Sequence, residues 1–491
     1  MISVLNIRQQ VGTHFSFRRI FPTTLFLMIF VLAVRQCVYI DPDLWWHLQT
    51  GQHIILTGSI PRVDIFSFTK AGSEWVTHEW LSEVLMYGIY RAAGWGGLVL
   101  IFSGLILMAL AITYRRCEGR PYIAGLAVLL AAASSAPLFG IRPQMITFLL
   151  ASVFIALLGR FSSNGQSRPL WWLPPLMLLW VNFHAGFALG LALIGLYMIG
   201  VALDGKWNLI RPLVITLLAC IAVVPLNPNG LRMYTYPLET LTSPAMAGLI
   251  QEWASPDFHK AMFVPFAILL FTVLATLAAS PKRPRPSELF LIVVTGLGAF
   301  RSTRHIPIFA LLAAPILASH LWQLLSLHGW DKRLTAPEAP GSLASLVFSV
   351  LLILAPASLA ATRVWHFIAY QPAYESRNYP VAAVEFLRAH KLPGPIYNRY
   401  GWGGYLITRL YPDYRVYIDG RADVYGDAFM TETSNTYDGG SGWREPLERL
   451  AVKTVLIAPN APLASLLRSD RDWVKVYEDN QAVIFTRSRN F

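Results

Sequence analysis

The stretch DPDLWWHLQTG, Asp41–Gly51, decides how the chain is read. It sets two carboxylates, two tryptophans and a histidine directly after an apolar run from Phe21 to Tyr39. That run is close to the roughly 20 residues that cross a hydrocarbon core. It leads into acids and aromatics, not into a small-residue cleavage site, so it reads as a first membrane helix and not as a signal peptide. A second stretch of the same character, VTHEWLSE, follows at 76–83. The chain has 491 residues, 55% of them hydrophobic and 14% charged, and a mean hydropathy of +0.46. Soluble globular proteins carry about 25% charged residues. The composition therefore points to a polytopic α-helical membrane protein.

Working outward, about eleven apolar segments are expected to span: 20–39, 95–114, 121–140, 144–160, 169–183, 186–203, 212–226, 261–280, 287–301, 306–326 and 342–362. The net charge of +12 is placed in the short loops between them. Arg8, Arg18 and Arg19 precede the first segment; Arg115, Arg116 and Arg120 follow the second. Arg160, Arg168, Lys206, Arg211, Lys282, Arg283, Arg285, Lys332 and Arg333 fall on the same side. A basic side is cytoplasmic, so the N-terminus is cytoplasmic and, with an odd count, the C-terminus is outside. This placement favours anionic lipid headgroups as partners over nucleic acid. The cysteines, Cys37, Cys117 and Cys220, lie in or beside apolar segments and have no metal or redox spacing.

Two regions interrupt the helical pattern. Residues 40–94 form an acidic first outer loop carrying Asp41, Asp43, Asp64, Glu74, Glu79 and Glu83. Its DLWWHLQTGQHIILTG segment suits a helix lying in the membrane interface, with tryptophans at headgroup depth. Residues 227–260 form another outer loop. From 370 to 491 the pattern changes: GPIYN, RVYIDG, KTVLIAP and QAVIFTR read as strands, VAAVEFLRAH and APLASLLRSD as helices. The expected organisation is a membrane domain over 1–369 and a small C-terminal extracytoplasmic α/β domain over 370–491.

Ionisable groups at a membrane face are costly and mark function. Asp41 and Asp43 stand at the mouth of a membrane cavity, where a carboxylate could act as general base; the plainer alternative is an N-cap for the helix that follows. Arg142 in FGIRPQM, His184 in WVNFHAGF, and Arg301, Arg304 and His305 in FRSTRHIP fall at the same outer face. Arginine offers a planar fork for phosphate oxygens, although outer arginines also snorkel to headgroups. In YIDGRADVYG, Asp419, Arg421 and Asp423 read as turn acids paired to an arginine, or as acceptor recognition. GWGGYL, Gly401–Leu406, reads as a helix start or a tight turn and not as a nucleotide loop.

Together, DPDLWWHLQTG, IPRVDIFSFT, WVTHEWLSE, RPQ, NFHAGF, PLNPNG, EWASP, RSTRHIP and GWGGYL with RVYIDGRADVYG resemble the GT-C superfamily. These are polytopic membrane glycosyltransferases that use polyprenyl-phosphate sugars. The layout is akin to that of the protein mannosyltransferases and the lipid A aminoarabinose transferases. The resemblance implies a hexosyl- or pentosyltransferase in a bacterial inner membrane, working on the cell envelope. It would move a sugar from a polyprenyl-phosphate donor to a lipid, glycan or protein acceptor on the outer face. It implies Asp43 or Asp41 as the base, with Asp43 favoured; the protein mannosyltransferases have Asp-Glu where this chain has Asp-Pro-Asp, which leaves the choice between the two open. It implies Arg142, Arg301, Arg304, His305 and His184 as holders of the donor phosphate. His47, His78, Glu79 and Asp64 are candidates to line the cavity or to hold a metal. No cofactor is required by the pattern, and a divalent cation is the one these acids could take. The alternative function is a transporter or flippase of lipid-linked sugars; against it, the charges crowd one face and no halves repeat.

Overall fold

The structure, a computed structural model, describes residues 17–336 and 343–488. Arg8, position 342 and residues 489–491 lie outside the described residues. A helix occupies each of the eleven expected segments: Phe17–Cys37, Trp80–Arg116, Tyr122–Ser135, Gln144–Asn164, Leu173–Phe183, Phe187–Leu203, Ile210–Val223, Val264–Ala279, Pro286–Arg301, Ile306–Ser326 and Leu343–Asn378. Among the described residues, seven stretches are long and apolar enough to cross a membrane, and Tyr122–Leu138 and Phe187–Leu203 are shorter apolar helices. The chain is an integral membrane protein. It divides into two compact units, each described here by itself.

The first unit gathers the segment up to Tyr39, Val99–Val224 and Glu252–His366. Its central helix is Ile306–Ser326, in which Phe309, Ala310, Leu311, Ala313, Ala314 and Ala318 are fully buried. The facing helix Tyr122–Ser135 buries Ala124, Ala127, Ala131 and Ala132. Lipid tails are as apolar as leucine, so helix contact in a bilayer gains from close backbone approach, and alanine permits it. Leu218, Phe271, Leu297 and Phe348 stay exposed, as lipid-facing side chains do.

The second unit gathers Ile40–Leu98, Pro225–Gln251 and Phe367–Phe491. Its sheet has the order β1-β2-β4-β3, with β1 Ile396–Asn398, β2 Thr454–Ile457, β3 Trp473–Glu478 and β4 Val483–Arg487. Strands β1 and β2 are parallel, and the other pairings are antiparallel. Three of the four strands were expected. β3 was not: it is an edge strand, WVKVYE, whose lysine and glutamate hide its period. RVYIDG, expected as a strand, is not one. Its Tyr417 amide donates to Asn398 Oδ1 at 2.8 Å, its Ile418 carbonyl accepts from Asn398 Nδ2 at 2.8 Å, and Val416 exchanges backbone bonds with Phe66 and Phe68. A side chain and the first loop satisfy its backbone in place of a neighbouring strand.

The helix Leu44–Thr57 corrects another expectation. Trp45 and Trp46 are buried in this unit and present no open face to lipid. The Trp45 ring meets Trp95, Tyr379 and Tyr405 edge-on at 5.1–5.4 Å. An amphipathic period looks the same whether its apolar face meets lipid or protein.

Arg421 ties the unit's segments together. It is fully buried, with Nη1 2.8 Å from Asp64 Oδ1 and Nε 2.8 Å from Asp419 Oδ1. Its guanidinium lies over Trp75 at 4.5 Å and Phe66 at 5.2 Å. Tyr425 donates to Asp419 Oδ2 at 2.7 Å, and Asp64 also accepts from the Phe66 and Ser67 amides. Removing one member of a buried ion pair strands the other charge, at about 3–5 kcal/mol. Arg421→Met should therefore lower the thermal unfolding midpoint of the full chain in detergent and open 60–75 to protease. Arg468→Met, whose pair with Glu478 is part-exposed, should change the midpoint little.

Candidate active site

In the second unit the helix Leu44–Thr57 begins at Asp43, which occupies the N-cap position without capping through its side chain. The plain reading of Asp43 as a helix cap therefore does not account for its carboxylate. Asp41 Oδ1 accepts the Asp43 amide at 2.8 Å, which fixes the Asp-Pro-Asp turn. Both acids are half-buried. Two glycines make room for them. A Cβ at Gly404 would lie 2.7 Å from the Pro42 carbonyl oxygen, and one at Gly420 would lie 1.7 Å from Asp43 Oδ1. The GWGGYL segment is thus a helix start, Gly403–Leu410, in which Gly404 receives the 42–46 backbone and Gly403 receives the Ile418–Asp419 backbone. Asp43 rests against the YIDGRADVYG turn.

Further acids surround two histidines. Gly51 lets the helix approach the Glu83 backbone, since a Cβ there would lie 2.1 Å from the Glu83 carbonyl oxygen. One turn earlier, His47 Nδ1 lies 3.5 Å from Glu83 Oε1. Burial works against a charge on His47, but Glu79, Glu83 and Asp43 outweigh it and raise its pKa. His78 Nε2 lies 3.2 Å from Glu79 Oε1, and its ring meets that of Tyr236 at a tilt of 36°, with centroids 4.5 Å apart. Tyr236 donates to Asp423 Oδ2 at 3.1 Å. Burial again opposes the charge on His78, yet Glu79, Asp423 and the Val76 carbonyl push its pKa up to about 9. Tyr400 feels the same field: burial first, then Asp43, Asp419, Asp423 and Asp41, raise it well above its ordinary value. Asp41, Asp43, His47, His78, Glu79, Glu83, Tyr236, Tyr400 and Asp423 thus build one acid-rich cluster. Asp64 is placed apart from its role as a cavity or metal candidate, because its carboxylate is committed to Arg421 and the Ser67 turn. Among the described residues no group of three or more His, Cys, Asp or Glu side chains is arranged to hold a metal ion.

The basic candidates lie in the first unit. Arg142 and Arg304, 162 positions apart in sequence, both pair with Glu252: Arg142 Nη1 with Oε1, and Arg304 Nε with Oε2 at 3.1 Å. The Glu252 carbonyl accepts from Ser302 Oγ at 2.9 Å and Thr303 Oγ1 at 2.8 Å, and the Thr303 amide donates to the Ala254 carbonyl. Arg304 also lies over Trp253 at 4.6 Å. Burial raises the pKa of Glu252, but Arg142 and Arg304 outweigh this and hold its carboxyl below the usual range. Glu252 belongs to EWASP, and sequence reasoning gave it no role. Arg301 is exposed at the end of its helix. His305 forms the N-cap of Ile306–Ser326, with Nδ1 buried. His184 accepts the Gly186 amide at Nδ1, 3.0 Å, and faces Thr147 Oγ1 at 2.9 Å, which places its proton on Nε2.

The His78 pKa gives a pH prediction. Its folded value lies above the ordinary 6.5, so protonated His78 stabilises the fold fully below about 6.5, and that contribution is lost as pH rises through about 9. The difference in unfolding midpoint between the wild type and His78→Asn should shrink over that window. Histidine-labelled NMR should show the His78 titration moving down in Glu79→Gln.

No family model matches the chain, and no curated protein matches it. Solved structures do. The archaeal oligosaccharyltransferase AglB from Archaeoglobus fulgidus, in complex with an inhibitory peptide and a dolichol-phosphate, is similar at a TM-score of 0.52 and 12% identity, covering 96% of this chain and 74% of that one. The Archaeoglobus fulgidus oligosaccharyltransferase tethered to an acceptor peptide containing the NVT sequon is similar at 0.53 and 14% identity, covering 90% and 69%. ArnT from Cupriavidus metallidurans in the apo state covers 95% of this chain and 96% of its own, at 0.48 and 15% identity. The chain has the fold of these archaeal oligosaccharyltransferases.

Proposed function

We propose that the chain is a GT-C membrane glycosyltransferase. It moves a sugar from a polyprenyl-phosphate donor to a lipid, glycan or protein acceptor on the outer face of the membrane. The observation that carries this reading is the gathering of Asp43, Glu79, Glu83 and Asp423 around His47 and His78 in a chain of this fold. Two solved structures of similar fold hold a dolichol-phosphate or an acceptor peptide. The proposal includes eleven spans, a cytoplasmic N-terminus, an extracytoplasmic segment from 370 onward and a bacterial inner membrane.

In this reading Asp43 accepts the proton of the acceptor hydroxyl or amine as that atom bonds to the anomeric carbon. Asp41 holds the Asp43 backbone and is the second candidate base. The anomeric carbon–oxygen bond to the lipid phosphate breaks, and the phosphate leaves with the electron pair. Arg142 and Arg304 take up the charge that develops on it, with Arg301, His305 and His184 as further holders of the donor. His47, His78 and Glu79 line the acceptor side and set its field. No step in this reading runs through a divalent cation.

The test is transfer by the full chain in proteoliposomes, assayed with a panel of radiolabelled polyprenyl-phosphate sugars. Asp43→Asn should lower turnover by about 10²–10⁴-fold, the usual contribution of a general base, while donor binding is kept. Transfer by Asp43→Asn at the wild-type rate would remove Asp43 from the chemistry. Transbilayer movement of intact donor with no transfer would favour a flippase.

A further inference from the structure

Arg142 and Arg304 do more than supply two positive charges. Arg142 and Arg304 come from distant sequence positions and converge on one carboxylate, Glu252, each taking a different oxygen. All three side chains are largely buried, at 20%, 29% and 21% exposed. Glu252 is itself fixed. Its carbonyl receives Ser302 and Thr303, the next residue but one receives the Thr303 amide, and its neighbour Trp253 lies under the Arg304 guanidinium. The carboxylate therefore does not trail into solvent in search of a partner. It is built into the turn that carries Arg304. Two guanidinium forks facing one pair of oxygens is also the geometry by which arginines grip a phosphate.

The charges of these three side chains sum to plus one. A sugar-bearing lipid monophosphate is a phosphodiester with one negative charge, and a sugar-bearing lipid diphosphate has two. Without Glu252 the arginine pair would present plus two. We infer that Glu252 is a positioning and charge-setting residue for the donor. It holds Arg142 and Arg304 as a matched pair and, by removing one unit of positive charge from the site, cuts the attraction for a doubly charged diphosphate by twice as much as that for a singly charged phosphodiester, which biases the site toward the phosphodiester. This inference rests on the donor reading above and adds the charge class of the donor and the residue that selects it.

The experiment measures calorimetric binding of two probes to the full chain in detergent: a dialkyl phosphodiester and a dialkyl diphosphate of equal chain length. The wild type sets the reference ratio of the two affinities. Glu252→Gln, which keeps size and hydrogen bonding, should shift the preference toward the diphosphate by about tenfold. That is the scale of one unit charge acting over ~10 Å at an effective dielectric of ~20. Glu252→Asp should restore the wild-type ratio, and Arg304→Gln should weaken both probes. A Glu252→Gln protein with a wild-type unfolding midpoint and an unchanged ratio would overturn the charge-setting role and leave the donor reading standing. Equal loss of both probes in Glu252→Gln would reduce Glu252 to a brace and also overturn it. A wild type that binds neither probe would overturn the inference and the donor reading together.

Discussion

The second unit depends on a buried guanidinium. Arg421 has no access to water, and two carboxylates and two aromatic faces replace its hydration. A desolvated arginine tolerates little displacement, because every lost contact exposes an uncompensated charge in a medium of low dielectric. Asp64 comes from the first loop and Asp419 from the C-terminal segment, so the arginine joins parts of the chain that lie more than 350 positions apart in sequence. Gly420 stands between Asp419 and Arg421. The same lock thereby fixes the wall against which Asp43 rests.

The acid cluster shows how burial and charge can be balanced without one-to-one pairing. Two histidines lie among Asp43, Glu79, Glu83 and Asp423, and each histidine is held toward its charged form by more than one acid. Asp423 in turn is pushed up, first by burial and then less than it would be without His78, Tyr236 and Arg421. Such a network shares protons among its members and titrates as a group. A carboxylate at its edge is supplied with neighbours that can accept or return a proton.

Much of this was legible in the sequence. The apolar segments foretold where helices stand, because a run of about twenty apolar residues has few other uses. The acids after the first helix drew notice because ionisable groups beside a bilayer are costly. What escaped notice was long-range. Glu252 reads as an ordinary loop acid until Arg142 and Arg304, 110 and 52 positions away, are found on it. Tyr236 and Asp423 joined His78 through contacts that no local period encodes. Trp45 and Trp46 had the right spacing for a lipid-facing stripe, and only tertiary packing shows that tyrosines and another tryptophan take that face. RVYIDG failed as a strand because an asparagine side chain met its backbone needs.

The contact between Gly420 and Asp43 has one more implication. The space there is smaller than a methyl group, so Gly420→Ala would shift Asp43 without touching its charge, its hydrogen-bonding capacity or the acids nearby. Steric silencing of this kind separates where a carboxylate stands from what it is. It makes residue 420, which bears no functional group, as telling a position as the acid itself.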